Sequence, residues 1–134
     1  MKNNLQSNNQ EANRENTNSL EINSQQINNH YGTNNLLANI KTALTKAGLN
    51  LNQLSLDDLA PLDQLHLGGR LASRQLAAKV NFLPNQKLLD LGCGTGGASR
   101  LLASEFNLKV TGLDLTLSFI EAANWLTQAT GLAQ

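Results

Sequence analysis

This chain of 134 residues has one cysteine, Cys93, which excludes a disulfide framework and a thiolate metal cluster. It has no excess of either charge. Ten lysines and arginines balance ten aspartates and glutamates, so charge does not make it a polyanion binder, and no nucleic-acid partner is expected. No apolar run approaches a membrane span, and "MKNNLQSNNQ" has neither the apolar stretch of a signal peptide nor the arginine-rich pattern of a transit sequence. The expectation is therefore a soluble, cytoplasmic protein without membrane partners. His66 stands alone, without the two or three further donors that zinc or iron requires, so no metal is expected.

What is abundant is asparagine, and it is unevenly placed. Residues 1–35 hold twelve asparagines and few apolar residues besides Leu5, Leu20, Ile22, Ile27 and Tyr31. Such a segment buries too little surface to offset its ordering entropy, and it reads as a disordered tail, solubilising rather than partner-binding. About a hundred residues, 36–134, remain for one domain with a limited core.

The hydrophobic pattern of the remainder changes period along the chain. "NNLLANIKTALTKAG" predicts a helix with Asn35 as N-cap, an apolar stripe of Leu36, Leu37, Ile40, Ala43, Leu44 and Ala47, and Gly48 just past its end. Ser55 and Asp58 have capping-box spacing, and Pro61 is expected to end or restart the following turn. "GGRLASRQLAAKVNFLPNQ" predicts a helix with Ala72, Leu76 and Val80 on its inner face, running until shortly before Pro84. "KLLDL" then reads as a short buried strand and "GGASRLLASEF" as a helix burying Ala98, Leu101, Leu102 and Phe106. "LKVTGLDL" reads as a second strand. "TLSFIEAANWLTQATG" reads as a helix capped by Thr116, with Phe119, Ala123 and Leu126 inward and Gly131 at its close. Trp125 falls off that stripe, and is expected either to pack on a flank or to be left exposed where a further element would cover it. Helices followed by β-α-β-α form the start of a doubly wound, Rossmann-like α/β fold.

The chemistry is concentrated in "LLDLGCGTGG". Gly92, Gly94 and Gly97 have G-x-G-x-x-G spacing between a strand and a helix, where a missing Cβ lets a ligand approach the backbone. Asp114 ends the next strand, 22 residues after Gly92, suiting a carboxylate that accepts two ribose hydroxyls. That spacing alone fits a nicotinamide or flavin dinucleotide. Asp90, two residues before the first glycine, would repel a pyrophosphate but tolerate a ligand bearing an amino group and a sulfonium.

"LLDLGCGTGG" with "VTGLDLT" resembles the first two motifs of class I S-adenosylmethionine-dependent methyltransferases. The resemblance implies that Asp90, Gly92, Cys93 and Gly94 pass beneath the methionine and ribose of S-adenosyl-L-methionine. Asp114 would hold the ribose hydroxyls and Leu115 would lie on the adenine. "DLAPLDQLHLGGRLASRQLA" is similar to the segment before the first strand in small-molecule N-methyltransferases of the glycine and sarcosine type. There, His66, Gly68, Gly69 and Arg70 match a turn that contributes to the cofactor pocket, and Arg70 would neutralise a carboxylate. Leu65 and Ser73 depart from that pattern, where an aromatic and a threonine are usual, and Ala98 stands where proline is frequent.

These expectations divide the chain into a tail (1–35), an N-terminal helical segment (36–86) and a partial S-adenosylmethionine-binding domain (87–134). Cys93, near a helix N-terminus, has a mildly favoured thiolate but no base partner, and it is not expected to be a nucleophile. Arg100 reads as a surface residue. In the family resembled, the sheet continues and its later strands build the acceptor pocket. A fragment without autonomous catalysis is therefore expected, with an unpaired sheet edge open to self-association or a complementing chain. The methyl acceptor is expected to be a small molecule. Two other readings stand beside this one: a dinucleotide-binding piece of an oxidoreductase, and a non-enzymatic interaction module.

Overall fold

The computed structural model describes residues 35–63 and 68–133. The expected tail, apart from Asn35, lies outside the described residues, as do Leu65, His66 and Gln134. Helices α1 (Leu36–Lys46), α2 (Leu56–Asp63) and α3 (Gly69–Ala77) precede strand β1 (Lys87–Leu91), helix α4 (Gly97–Glu105), strand β2 (Lys109–Leu113) and helix α5 (Leu117–Ala129). This is the expected order, helices and then β-α-β-α, and it forms an incomplete Rossmann-like α/β unit.

Helix α1 ends as its sequence dictates. Gly48 takes φ 77°, and the amides of Gly48 and Leu49 donate to the carbonyls of Thr45 and Leu44, the paired bonds of a Schellman turn. Its start differs from expectation: Asn35 occupies the N-cap position in a left-handed conformation and its side chain makes no capping bond. Helix α2 runs through Pro61 to Asp63 instead of ending there. The helix is only eight residues long, so the ring disturbs a single turn at its C-terminal half.

Helix α3 is shorter than its periodicity implied. After Ala77 the bonds tighten to i−3 spacing, Lys79 to Leu76 and Val80 to Ala77, and the helix closes. Its buried residue is Ala77, while Leu76 is 71% exposed and Val80 50%. The Ala72–Leu76–Val80 stripe is thus not the inner face.

Strands β1 and β2 pair in parallel, Leu88 beside Val110 and Asp90 beside Gly112. Their alternation separates two faces. Leu88, Asp90, Val110 and Gly112 are partly buried, whereas Leu89, Leu91 and Leu113 are exposed. The short buried strand expected at "KLLDL" is covered on one face only, among the described residues.

The main core joins the N-terminal helices to α5. Ile40, Leu44, Leu54 and Leu59 meet Ala122 and Leu126, with Trp125 and Ala129 packed against them. Of the two places expected for Trp125 it takes the flank of the core, with Lys41 Nζ 4.7 Å from its ring centroid. Residues on both sides of the 86/87 boundary thus contribute to a single core. In α5, Ala122 takes the buried place expected of Phe119, alongside Ala123 and Leu126.

Candidate cofactor site

Past Leu91 the chain cannot continue as a simple strand, because Gly92 and Gly94 take φ 75° and 55°, and Gly96 follows at 83°. The turn holds itself together through its own amides. Gly92 N–H and Cys93 N–H both donate to Leu113 O, at 2.8 and 3.0 Å, extending the link to β2 beyond the ladder. Gly96 N–H donates to Cys93 O at 2.9 Å. Gly94 N–H donates to Asp114 Oδ2 at 2.8 Å. Asp114 Oδ1 accepts from the amide of Thr116, also at 2.8 Å, in a turn of the kind aspartate forms with its own backbone two residues on. That carboxylate anchors the entry to α5, since Thr116 is extended and makes no side-chain cap.

Two consequences follow for any ligand. Four amides of the glycine turn are already committed to protein acceptors, so they do not converge into an anion-binding nest of the sort that cradles a pyrophosphate. The Asp114 carboxylate uses one acceptor position on each oxygen and keeps others for hydroxyl donors.

Directly over the C-terminal ends of both strands lies an open cleft of about 660 Å³, lined by Leu91, Gly92, Leu113, Asp114, Leu115, Thr116 and Phe119. One carboxylate among leucines and a phenylalanine is the mix expected where an apolar ring system is bound and its polar end oriented. The location, outside the carboxyl ends of parallel strands, is where open α/β sheets bind ligands.

The residues singled out from sequence divide into three groups. Gly92, Asp114 and Leu115 line the cleft, and Cys93 and Gly94 form the turn at its base. Asp90 projects from the covered face of β1 and accepts a 2.6 Å hydrogen bond from Ser99 Oγ of α4, outside the cleft lining. Arg70 is not brought to the turn. It pairs with Asp57 at 2.5 Å and Glu105 at 3.4 Å, and Glu105 ends the helix whose other end carries the glycines. Arg74 also grips Glu105, through two bonds of 2.7 Å, which holds its carboxyl below the usual carboxylate range.

Cys93 departs from the thiolate preference its position suggested. Burial, followed by the nearby Asp90 and Asp114 carboxylates, pushes its thiol pKa up. Arg100 also departs from expectation, being 2% exposed rather than on the surface. Leu91, Leu113, Thr116 and Phe119 were missed as cleft residues. Their signal was positional, since each lies at a strand end or at the N-cap or first turn of the next helix.

Residues 88–134 match a family model described as a methyltransferase domain. Phosphoethanolamine N-methyltransferase 1 of Arabidopsis thaliana is 39% identical over 66 residues, 49% of this chain and 13% of that protein. The glycine/sarcosine/dimethylglycine N-methyltransferase of Actinopolyspora halophila is 33% identical over 72 residues, 54% of this chain and 13% of that protein. Among solved structures, Haemonchus contortus phosphoethanolamine N-methyltransferase 2, in complex with S-adenosyl-L-methionine, aligns with a TM-score of 0.48 and 29% identity, over 50% of this chain and 16% of that one. The chain thus spans about an eighth of the length of these two curated relatives. The resemblance to S-adenosylmethionine-dependent methyltransferases, including the glycine and sarcosine type, is borne out over this segment.

Proposed function

We propose that the cleft over β1 and β2 binds S-adenosyl-L-methionine and that the chain supplies the cofactor side of a small-molecule methyltransferase. The observation that carries this reading is the Asp114 carboxylate, fixed by the Gly94 and Thr116 amides at the rim of an otherwise apolar cleft. Its remaining acceptor positions suit the two ribose hydroxyls, and Leu115 and Phe119 offer an apolar seat for adenine. Gly92, Cys93 and Gly94 lie under the methionine and ribose, with no Cβ at either glycine to hold the ligand away. Asp90 contributes its negative field from beneath the turn rather than through contact. When bound, the cofactor supplies an electrophilic methyl group on a sulfonium.

Methyl transfer depends on positioning an acceptor against that methyl group. The relatives' names cover phosphoethanolamine and glycine, sarcosine and dimethylglycine, so we read the acceptor as a small molecule without choosing among them. Binding rather than turnover is the activity assigned to the described residues. The exposed sheet face and edge are the surfaces through which a complementing chain or a second copy would add the acceptor side. A dinucleotide is disfavoured because the Asp90 carboxylate beneath the turn would repel its pyrophosphate.

Thermal unfolding followed by circular dichroism tests this reading. A ligand present at a hundred times its dissociation constant, and bound only by the native state, adds about 2.7 kcal/mol and raises the melting temperature. S-adenosylmethionine is expected to raise it and NAD to leave it unchanged, and Asp114→Ala is expected to abolish the response. An equal response to both ligands, or none to S-adenosylmethionine from a cooperatively melting chain, would sink the proposal.

A further inference from the structure

We infer that Arg100 is a positioning residue that sets the glycine turn from beneath and ties it to α5. Its guanidinium is enclosed within the protein, 2% exposed, although it belongs to an amphipathic helix that starts only three residues earlier. Instead of reaching solvent, the side chain folds back under the first turn of α4. Nη1 donates to Thr95 O at 2.8 Å, within the turn, and lies 3.4 Å from Ala123 O and 3.3 Å from Thr127 Oγ1, both on α5. A buried charge is held where its N–H groups meet acceptors, and the acceptors around Nη1 belong to two different elements, the turn and α5.

Gly96 is shaped for this arrangement. It is the glycine that the G-x-G-x-x-G spacing passes over, and at φ 83° an added Cβ would stand 2.9 Å from Arg100 Nη1 and 3.3 Å from the Ala123 Cβ. The missing side chain therefore admits the guanidinium as well as the turn. Thr95 is itself buried and lies next to Gly94, whose amide fixes the Asp114 carboxylate. Moving the Thr95 carbonyl moves the Gly94 amide, and with it the carboxylate at the rim of the cleft. Arg100 is not among the residues that line the cleft and acts through that chain of contacts. The functional half of the inference rests on the cofactor reading above.

The test uses the full chain and a readout that loss of stability alone does not move. In ligand-free ¹H–¹⁵N spectra, Arg100→Lys and the milder Thr127→Val are expected to shift the Gly94 and Gly96 amides. Leu44→Ala, a core truncation on α1, is expected to lower stability and leave those amides in place. Turn amides unmoved in Arg100→Lys, or moved as far by Leu44→Ala, would overturn the inference. If Arg100→Lys does not fold, unmoved turn amides in Thr127→Val overturn it alone.

Titration with S-adenosylmethionine then separates the two readings. Arg100→Lys is expected to weaken binding about tenfold, the scale of one charge-assisted hydrogen bond, and Thr127→Val to weaken it less. Wild-type binding unchanged in both variants removes the link to the site and leaves the cofactor reading standing. Amide shifts in the variants together with a wild-type chain that binds no S-adenosylmethionine remove the cofactor reading and leave Arg100 as the organiser of the turn.

Discussion

At Gly112, the residue opposite Asp90 in β2, the limit on side-chain size is set by contact rather than by backbone angle. An added Cβ would stand 2.9 Å from Cys93 Sγ, 3.0 Å from Cys93 Cβ and 3.3 Å from Ser99 Oγ. The glycine turn and α4 can therefore lie on β2 only while position 112 lacks a side chain. Gly112→Ala is expected to cost roughly 1–3 kcal/mol, the usual cost of overpacking, and to weaken S-adenosylmethionine binding as Cys93 is displaced. Cys93→Ala should recover part of that loss by removing Sγ, although the 3.0 Å approach of the two Cβ positions keeps recovery incomplete. Denaturant melts of the two single variants and the double variant check this. Additive losses would show that the two residues do not meet.

The same logic of local chemistry holds for whole elements, and α2 is the clearest case. Ser55 Oγ accepts from the Asp58 amide at 3.2 Å, and Asp58 Oδ2 accepts from the Ser55 amide and hydroxyl at 2.8 and 2.7 Å, completing the reciprocal box its spacing predicted. Those bonds favour the charged carboxylate and lower the Asp58 pKa from its ordinary value, with the Ser55 backbone bond the largest cause. A carboxyl whose folded pKa is depressed adds stability above its unfolded pKa and loses it as pH falls through the folded value. The Glu105 carboxyl, held down by Arg74, works in the same direction. Ser55→Ala is expected to cost about 1 kcal/mol at neutral pH. Its deficit relative to wild type should shrink in acid below the ordinary carboxylate range, as both proteins lose the charged Asp58. A deficit independent of pH in chemical melts would show that the serine hydroxyl, and not the box, matters.

Elements of this kind were legible because their signals are local. Gly48, the Ser55–Asp58 spacing and the strand bounded by "PNQ" and glycines each carry their own stop or start. What was not legible depended on tertiary surroundings. The stripe through Ala72, Leu76 and Val80 continues the helical period in sequence, but the helix closes after Ala77, and Leu76 and Val80 stand in solvent. Arg100 sits in an amphipathic pattern where arginine normally faces water, and only the juxtaposition of Thr95 with α5 shows why it is enclosed. For Asp90 and Asp114 the sequence supplies two carboxylates at strand ends. Asp90, inside β1, meets Ser99 on the covered face, while Asp114, one residue past the end of β2, is held by the Gly94 and Thr116 amides and reaches the cleft.

For the whole molecule, what matters is which apolar surface stays in water. Parallel strands are ordinarily covered on both faces. Here α4 lies against one face through Ser99, Asp90 and Gly112, while Leu89 at 56% and Leu91 at 73% exposure stand on the other, with Leu113 beside them. The chain has ten cationic and ten anionic side chains, so no net charge opposes contact between copies near neutral pH. Apolar exposure without net repulsion favours association. Sedimentation velocity over a concentration series at pH 7 is expected to show a coefficient that rises with concentration. Leu89→Glu tests the face itself, because Leu89 neither lines the cleft nor belongs to the buried core. That variant should sediment independently of concentration while keeping its melting temperature and its response to S-adenosylmethionine. Association that persists in Leu89→Glu would move the contact to the exposed leucines of α3, whereas a wild-type coefficient that never rises would show that this face tolerates water.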